Sequence, residues 1–224
     1  MERRDIEMVG SRKILKKIAR ALGAARLRDY LVTHRLICEA KRSPDLKLHL
    51  GCATYVLQGW LNIDFFPRPG VARLRLPKGM HNFEDNSVRY VYTSHFLEHL
   101  DYRTDALLLA KECHRVLVPG GILRIVVPGI ERIIRAYVAD DEAFFAQQRT
   151  THPPWCETKL EILMNALQQN GSHKYGYDFE TISKLLKTAG FSSVNLSDYN
   201  TSETAELKVD YRGKGLSLFV EAVK

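Results

Sequence analysis

Short apolar runs of strand length recur along the chain from Pro44 onward. Leu46, Leu48 and Leu50 alternate with polar residues, which is the period-two pattern of a β-strand. The same reading predicts seven strands, near residues 46–50, 60–64, 71–75, 88–93, 122–127, 191–197 and 216–223.

Helical patterns separate the later strands. Helices are predicted near residues 102–117 and 178–189, and Gly190 is a suitable C-terminal stop for the second. The Thr/Ser/Glu-rich segment Asn200–Lys208 fits an antiparallel return between the last two strands. Strands that alternate with helices predict an α/β fold with a mostly parallel sheet and an antiparallel last strand.

Two helical additions to this sheet are predicted. The first is an N-terminal extension, residues 1–44, which precedes a main domain of residues 45–224. Within the extension, Ser11 is a candidate N-cap and Gly23 separates two helices. Apolar residues recur there at helical spacing, namely Ile14, Leu15, Ile18, Leu22, Leu27, Leu31 and Leu36.

The second addition is an insertion over residues 129–176, which is too long for an ordinary connection of ~2–6 residues. Two helices are predicted in it, Ile130–Gln147 and Glu157–Gln169, on either side of the segment His152-Pro153-Pro154. Its place after the fifth strand predicts a substrate lid over the carboxyl ends of the strands.

The length of 224 residues with 45% apolar residues suits one domain and an appendage. The charge is uneven, since residues 1–42 hold 12 Lys and Arg against 5 Asp and Glu, whereas the remainder holds 21 of each sign. The first predicted helix carries its basic residues opposite its apolar ones, namely Lys13, Lys16, Lys17 and Arg20.

The basic face has three interpretations. It is a solvated surface of a helix packed on the sheet, or it contacts an anionic membrane through residues 11–42, or it grips an acidic substrate. A nucleic-acid role is disfavoured because the main domain is charge-balanced. The four cysteines form no metal-spaced cluster, and no apolar run reaches transmembrane length, so a cytoplasmic protein is expected, at most peripheral to the inner face of a membrane.

The segment LKLHLGCATYVLQGWLNID (Leu46–Asp64) carries the first candidate chemistry. A turn at Gly51 follows one strand, and Asp64 ends the next. Such a glycine admits a ligand close to the backbone, and such a carboxylate accepts hydrogen bonds from the two ribose hydroxyls of an adenosine group. The two residues are 13 positions apart, whereas a dinucleotide site usually needs ~20, so the spacing weighs against NAD.

Three segments together resemble the class I S-adenosylmethionine (SAM) dependent methyltransferases. They are the loop just described, FEDNSVRYVYTSHFLEHLD (Phe83–Asp101) and HRVLVPGGILRIVVP (His114–Pro128). The resemblance is closest to the small-molecule group, the methyltransferase-11-like proteins with a short LGCG-x-GWxNxD loop, and covers roughly residue 45 to the end. It implies a Rossmann-like seven-stranded sheet, SAM as methyl donor and ribose binding by Asp64.

The chain departs from the family pattern in its first loop. Ala53 stands where the second glycine of Gly-x-Gly is usual, and His49 replaces the usual acidic residue two places before Gly51. An alanine that must adopt a positive φ costs on the order of 1 kcal/mol.

The expected cofactor contacts follow the ends of the strands. Phe65 is expected either to cover one face of the adenine or to belong to the core. Phe83 lies in the segment 82–85, which meets the adenine edge in such sheets. His95 is expected beside the methyl group. The complete expected set is Gly51, Cys52, Ala53, Asp64, Phe65, Phe83, Ser94 and His95.

Two histidines are candidate general bases, because a neutral imidazole can accept a proton from an attacking hydroxyl. His95 is one, at the end of the fourth strand, and His173, in a polar loop after the insertion, is the alternative. His95 and His99 also have a spacing that suits zinc chelation from one helical face. No third ligand is identifiable in the sequence, and the resembled family has a similar HxLEH segment without a metal, so no metal is expected.

The sequence thus predicts a SAM-dependent methyltransferase that acts on a small molecule, with an oxygen of a saccharide, a glycolipid or a similar metabolite as the expected methyl acceptor. One alternative is a catalytically inactive SAM-binding protein with a regulatory or scaffolding role. Another is an accessory protein that associates with a membrane or RNA through its basic segment.

Overall fold

The sheet of this protein contains all seven predicted strands. The computed structural model describes residue 20, residues 23–211 and residues 215–224. The strands are β1 Lys47–Leu50, β2 Leu61–Asp64, β3 Val71–Arg73, β4 Val88–Ser94, β5 Leu117–Pro128, β6 Ser193–Ser197 and β7 Ser217–Val223. They lie in the order β3-β2-β1-β4-β5-β7-β6, and β7 alone runs antiparallel to its neighbours. The predicted Rossmann-like α/β fold with an antiparallel last strand is confirmed.

The described part of the chain contains six α-helices. They are α1 over residues 23–40, α2 Leu107–Val116, α3 Ile130–Val138, α4 Glu142–Arg149, α5 Lys159–Gln168 and α6 Phe179–Ala189. No helix among the described residues is both long and apolar enough to cross a bilayer. The first predicted helix of the extension, with Ser11 and the basic residues before Arg20, lies outside the described residues.

The two faces of the sheet differ in character. One face packs into the main apolar core with α2 and α6, through residues such as Leu48, Leu50 and Leu185. The opposite face presents the alternate residues of the strands, and there a small cluster forms around Tyr92, Val126 and Phe219.

A buried arginine crosses this second face. The Arg124 side chain is inaccessible to solvent, and its Nε donates to Asp210 Oδ1 at 3.0 Å. One terminal nitrogen donates to Glu221 Oε1 at 2.7 Å, and the other to the carbonyl of Asp198 at 2.8 Å. Burial by itself would lower the pKa of Arg124, but the hydrogen bonds and charge of Asp210 raise it above its usual value. The ion pair thus ties β5 to the chain between β6 and β7.

The insertion differs from its prediction in one respect. Its first predicted helix is two helices, because Asp140 adopts a left-handed conformation with φ 54° and Asp141 caps α4 by accepting from the Phe144 amide at 2.9 Å. The three helices pack around a separate core made of Ile130, Ile133, Ala136, Phe145, Cys156, Ile162 and Ala166.

Helix α1 packs on the β3 edge of the sheet, and of its predicted apolar positions only Leu36 packs against the main core. Ile37 enters the main core, and Asp29 pairs with Arg73 at 2.8 Å, whereas Leu27 and Leu31 are each more than half exposed. The segment Pro119-Gly120-Gly121 lies within β5, where the register with β4 is irregular.

His49 sits on the second face of the sheet, fully buried, and is expected to make stability depend on pH. Its Nδ1 lies 2.9 Å from Asn62 Oδ1 and its Nε2 lies 3.2 Å from the Tyr211 hydroxyl. Burial lowers the pKa of His49 from 6.5 to about 4. Between pH 6.5 and pH 4, His49 is therefore protonated in the unfolded chain and neutral in the folded chain. The contribution of neutral His49 to the stability of the fold is complete above pH 6.5 and is lost as the pH falls towards 4.

We expect this residue alone to lower the free energy of unfolding by up to about 3 kcal/mol between pH 7 and pH 4. Urea denaturation of the protein and of His49→Gln across this range measures it, because glutamine keeps hydrogen-bonding capacity and does not titrate. Parallel pH profiles for the two proteins would contradict the expectation.

Candidate active site

A cavity of about 600 Å³ opens at the carboxyl ends of β1, β2 and β4. The strand order reverses between β1 and β4, and in open α/β sheets ligands bind in the crevice at such a point. The lining residues are Gly51, Ala53, Asp64, Phe65, Phe66, Arg68, Leu74, Arg75, Leu76, His95, Phe96, His99 and Leu100.

The turn after β1 requires a residue without a side chain at its first position. Gly51 has φ 64°, and a Cβ there would overlap the ring of Phe96. The sequence predicts that a ligand approaches the backbone closely at Gly51. In the structure, the group that lies this close to Gly51 is the Phe96 ring.

Asp64 holds this turn from the end of β2. Its Oδ2 accepts from the Ala53 amide at 2.8 Å, and its Oδ1 accepts from the Phe66 amide at 3.0 Å. Each carboxylate oxygen can accept a second hydrogen bond, so Asp64 keeps capacity for a ligand in the cavity.

Ala53 adopts φ 47°, the positive value that is unfavourable for alanine. We expect Ala53→Gly to raise the free energy of unfolding by ~0.5–1 kcal/mol, the relief of strain less the greater entropy of the unfolded glycine chain. Denaturant titration measures it. The matched control is Ala25→Gly within α1, which we expect to lower the free energy of unfolding by up to about 1 kcal/mol. A loss of similar size in both variants would show that Ala53 is not strained.

His95 follows the end of β4, and each of its ring nitrogens lies close to a polar side chain. It has φ 52°, so it lies outside the short helical turn Leu97–His99 that follows. Its Nδ1 lies 3.3 Å from Glu98 Oε1, and its Nε2 lies 3.1 Å from the Ser217 hydroxyl. The expected common face of His95 and His99 is therefore absent, since the two rings contact different neighbours.

His99 and His173 form a pair beside this turn. Their ring centroids lie 4.9 Å apart. The His99 Nδ1 lies 2.9 Å from the Ser172 carbonyl, and the His173 Nδ1 lies 2.9 Å from the Ala166 carbonyl. Burial lowers the pKa of His173, which favours its neutral form.

Glu98 is enclosed between these histidines. Its side chain is 1% exposed, and neither carboxylate oxygen has a hydrogen-bond partner in the described part of the chain. Oε1 lies 3.9 Å from His173 Nε2. Sequence reasoning gave Glu98 no role. The spacing of three residues between His95 and Glu98 was the one feature of the sequence that could have indicated their contact.

The structure brings five of the predicted site residues to one cavity, namely Gly51, Ala53, Asp64, Phe65 and His95. Cys52, Phe83 and Ser94 do not line it. Phe83 is 1% exposed in the main core, and burial raises the pKa of the Cys52 thiol to about 12.

Sequence reasoning missed several residues that line the cavity, among them the aromatic Phe96 and the basic residues Arg68 and Arg75. None of the described residues of the insertion 129–176 lines this cavity, so the predicted lid is not part of its wall.

The residues present suit SAM. The cavity has the size of a small-ligand site, a carboxylate stands at the end of its second strand, and small residues form the turn beside it. When bound, SAM supplies an electrophilic methyl group on a sulfonium.

A family model for the methyltransferase domain matches residues 67–125. The matched segment begins after Asp64 and ends within β5, so it includes β4 and the turn that carries His95. The match covers only part of the chain, and together with the sheet order it supports the predicted class I SAM-dependent methyltransferase.

Solved structures of SAM-dependent methyltransferases are similar to the chain as a whole. One from Archaeoglobus fulgidus is 16% identical with a TM-score of 0.49, over 88% of this chain and 94% of that one. One from Thermotoga maritima is 15% identical with a TM-score of 0.48, over 90% and 96%. One from Mesorhizobium loti is 13% identical with a TM-score of 0.45, over 81% and 92%. A comparison with curated proteins found no match.

Proposed function

We propose that this enzyme transfers the methyl group of SAM to a hydroxyl oxygen of a small molecule, a saccharide or a glycolipid. The observation that carries the proposal is a single cavity lined by the Asp64 carboxylate and the His95 imidazole, at the carboxyl ends of β2 and β4. A hydroxyl acceptor needs a base near the donor site, and His95 lies in the cavity wall with the Glu98 carboxylate 3.3 Å from its Nδ1.

Asp64 would hold the cofactor by accepting hydrogen bonds from its ribose hydroxyls. Phe65, 48% exposed at the cavity wall, offers a ring face for the adenine. The positive φ values at Gly51 and Ala53 shape the turn that approaches the rest of the ligand.

His95 has the local geometry of a general base. The nearby Glu98 carboxylate favours the proton on Nδ1, which leaves Nε2 as the accepting atom. A hydroxyl that replaces the Ser217 contact would meet this nitrogen, and the buried negative charge of Glu98 would stabilise the imidazolium formed when the proton is taken up. His173, the alternative base, has a side chain only 6% exposed.

The test is a transfer assay with radiolabelled SAM on monosaccharides, nucleotide sugars and a glycolipid extract. We expect a labelled product from one of these acceptors, and a fall in kcat of ~10²–10⁴-fold in His95→Gln with SAM affinity unchanged. His152→Gln is the control, since His152 lies in the insertion, where its Nδ1 is 2.9 Å from the Gln148 carbonyl, and it does not line the cavity. SAM binding without transfer to any of these acceptors would overturn the acceptor class, and undiminished kcat in His95→Gln would overturn the role of His95.

A further inference from the structure

Three potential metal ligands from two segments that are distant in sequence converge beside the cavity. Ligand atoms of Glu98, His99 and His173 all lie within 4.8 Å of one another. Ligands of one tetrahedral zinc ion lie about 3.4 Å apart for bonds of ~2.1 Å, so small side-chain rotations would close the set around an ion. We propose that these three residues bind a divalent transition metal ion, with Zn²⁺ as the best match.

The buried carboxylate is the strongest argument. A carboxylate without hydrogen bonds in the protein interior is costly unless a positive charge compensates it. The Glu98 side chain is 1% exposed and both its oxygens lack hydrogen-bond partners among the described residues. His95 approaches only Oε1, so a metal ion on the same side chain would supply the missing coordination.

The imidazole rings of His99 and His173 each have one nitrogen oriented by a hydrogen bond, as in metal-bound histidines. In both, Nδ1 faces a backbone carbonyl, of Ser172 for His99 and of Ala166 for His173. A carbonyl only accepts, so Nδ1 carries the proton in each neutral ring and the lone pair lies on Nε2. Metal-bound histidines almost always have such a partner on the second nitrogen, because it fixes the ring and the tautomer.

The backbone builds the cluster from segments that are far apart in sequence. The carbonyl of Glu98 accepts from the Lys174 amide at 2.7 Å and from the Tyr175 amide at 3.3 Å. These bonds dock the loop that carries His173 onto the turn Leu97–His99. The sequence alone identifies no third ligand for His95 and His99; the fold supplies a different set, in which His173 and Glu98 join His99 and His95 is left out.

The donor set indicates the class of metal. Imidazole suits zinc and its neighbours in the transition series, whereas magnesium and calcium prefer sites made entirely of oxygen. Three protein ligands leave one coordination position open, as in metal sites that act on substrates. His99 also lines the cavity, so an ion on its ring lies at the cavity edge.

The test measures metal binding in the absence of SAM and of any acceptor, so its outcome is independent of the proposed transfer reaction. Chelator-treated full-length protein is titrated with ZnCl₂ by calorimetry, with elemental analysis after dialysis. We expect one tightly bound zinc per chain, and affinity at least roughly 100-fold weaker in His99→Ala and in His173→Ala. Glu98→Gln, which preserves side-chain shape, should also weaken binding.

His152→Ala is the matched control, because its Nδ1 also faces a carbonyl, that of Gln148 at 2.9 Å, outside the cluster. It should bind zinc as the unmodified protein does. If His173→Ala fails to fold by circular dichroism, His99→Ala and Glu98→Gln decide the question. Absence of stoichiometric zinc, or zinc affinity that His99→Ala and Glu98→Gln leave unchanged, would overturn the site.

Discussion

Arg124→Met is expected to lower the free energy of unfolding by about 3–5 kcal/mol, the largest effect of any substitution considered for this protein. The guanidinium and the Asp210 carboxylate are both inaccessible to solvent. Removal of one partner leaves a buried charge uncompensated, and this penalty exceeds the loss of the contact itself. The carbonyls of Asp198 and Thr201 each lose one of their hydrogen-bond donors as well. Urea denaturation at pH 7 measures the change.

Two further variants separate this cause from a general loss of packing. Arg124→Met with Asp210→Asn removes both charges and should recover part of the stability. Arg135→Met is the exposed control, because Arg135 pairs with Glu131 at side-chain exposures of 77% and 50%, and such pairs contribute at most ~1 kcal/mol. A loss below 1 kcal/mol in Arg124→Met would show that the buried ion pair does not stabilise the fold.

Asp64→Ala is expected to weaken SAM binding by about 1.5–3 kcal/mol, or roughly 10–150-fold, as measured by calorimetric titration with SAM and S-adenosylhomocysteine. The substitution removes the charged acceptor that would receive the ribose hydroxyls. It also removes the hydrogen bonds from the Ala53 and Phe66 amides, which shape the adjoining turn.

Asp45→Ala is the control for Asp64, because Asp45 is an exposed aspartate that precedes β1 and does not line the cavity. Its SAM affinity should equal that of the unmodified protein. Equal SAM affinity in Asp64→Ala and Asp45→Ala would refute ribose binding by Asp64.

The sheet was predictable because its signals are local. Strands buried on one or both faces need apolar residues in short runs, and turns need glycine, so β1 with Gly51 and β2 with Asp64 could be located from a few neighbouring residues. The order of the strands follows from the βα alternation and from the antiparallel return before β7.

What escaped prediction depends on contacts between distant residues. The ion pair of Arg124 with Asp210 joins positions 86 apart, and the loop of His173 reaches Glu98 across a similar gap in sequence. Phe83 is predicted to contact the cofactor because the segment 82–85 meets the adenine edge in such sheets, whereas tertiary packing buries its side chain in the main core. The break at Asp140 rests on one left-handed residue within a helical apolar pattern, which periodicity does not detect.

The insertion has an apolar core of its own, separate from the core beneath the sheet. Substitutions within α3, α4 and α5 therefore act mainly on that small core, and the energetic consequences for the sheet are weak because the two sets of contacts share few residues. Substitutions on the outer surfaces of α3, α4 and α5 should therefore leave the sheet folded, whereas substitutions in the loop of His173 reach the turn at Glu98 through the Lys174 amide.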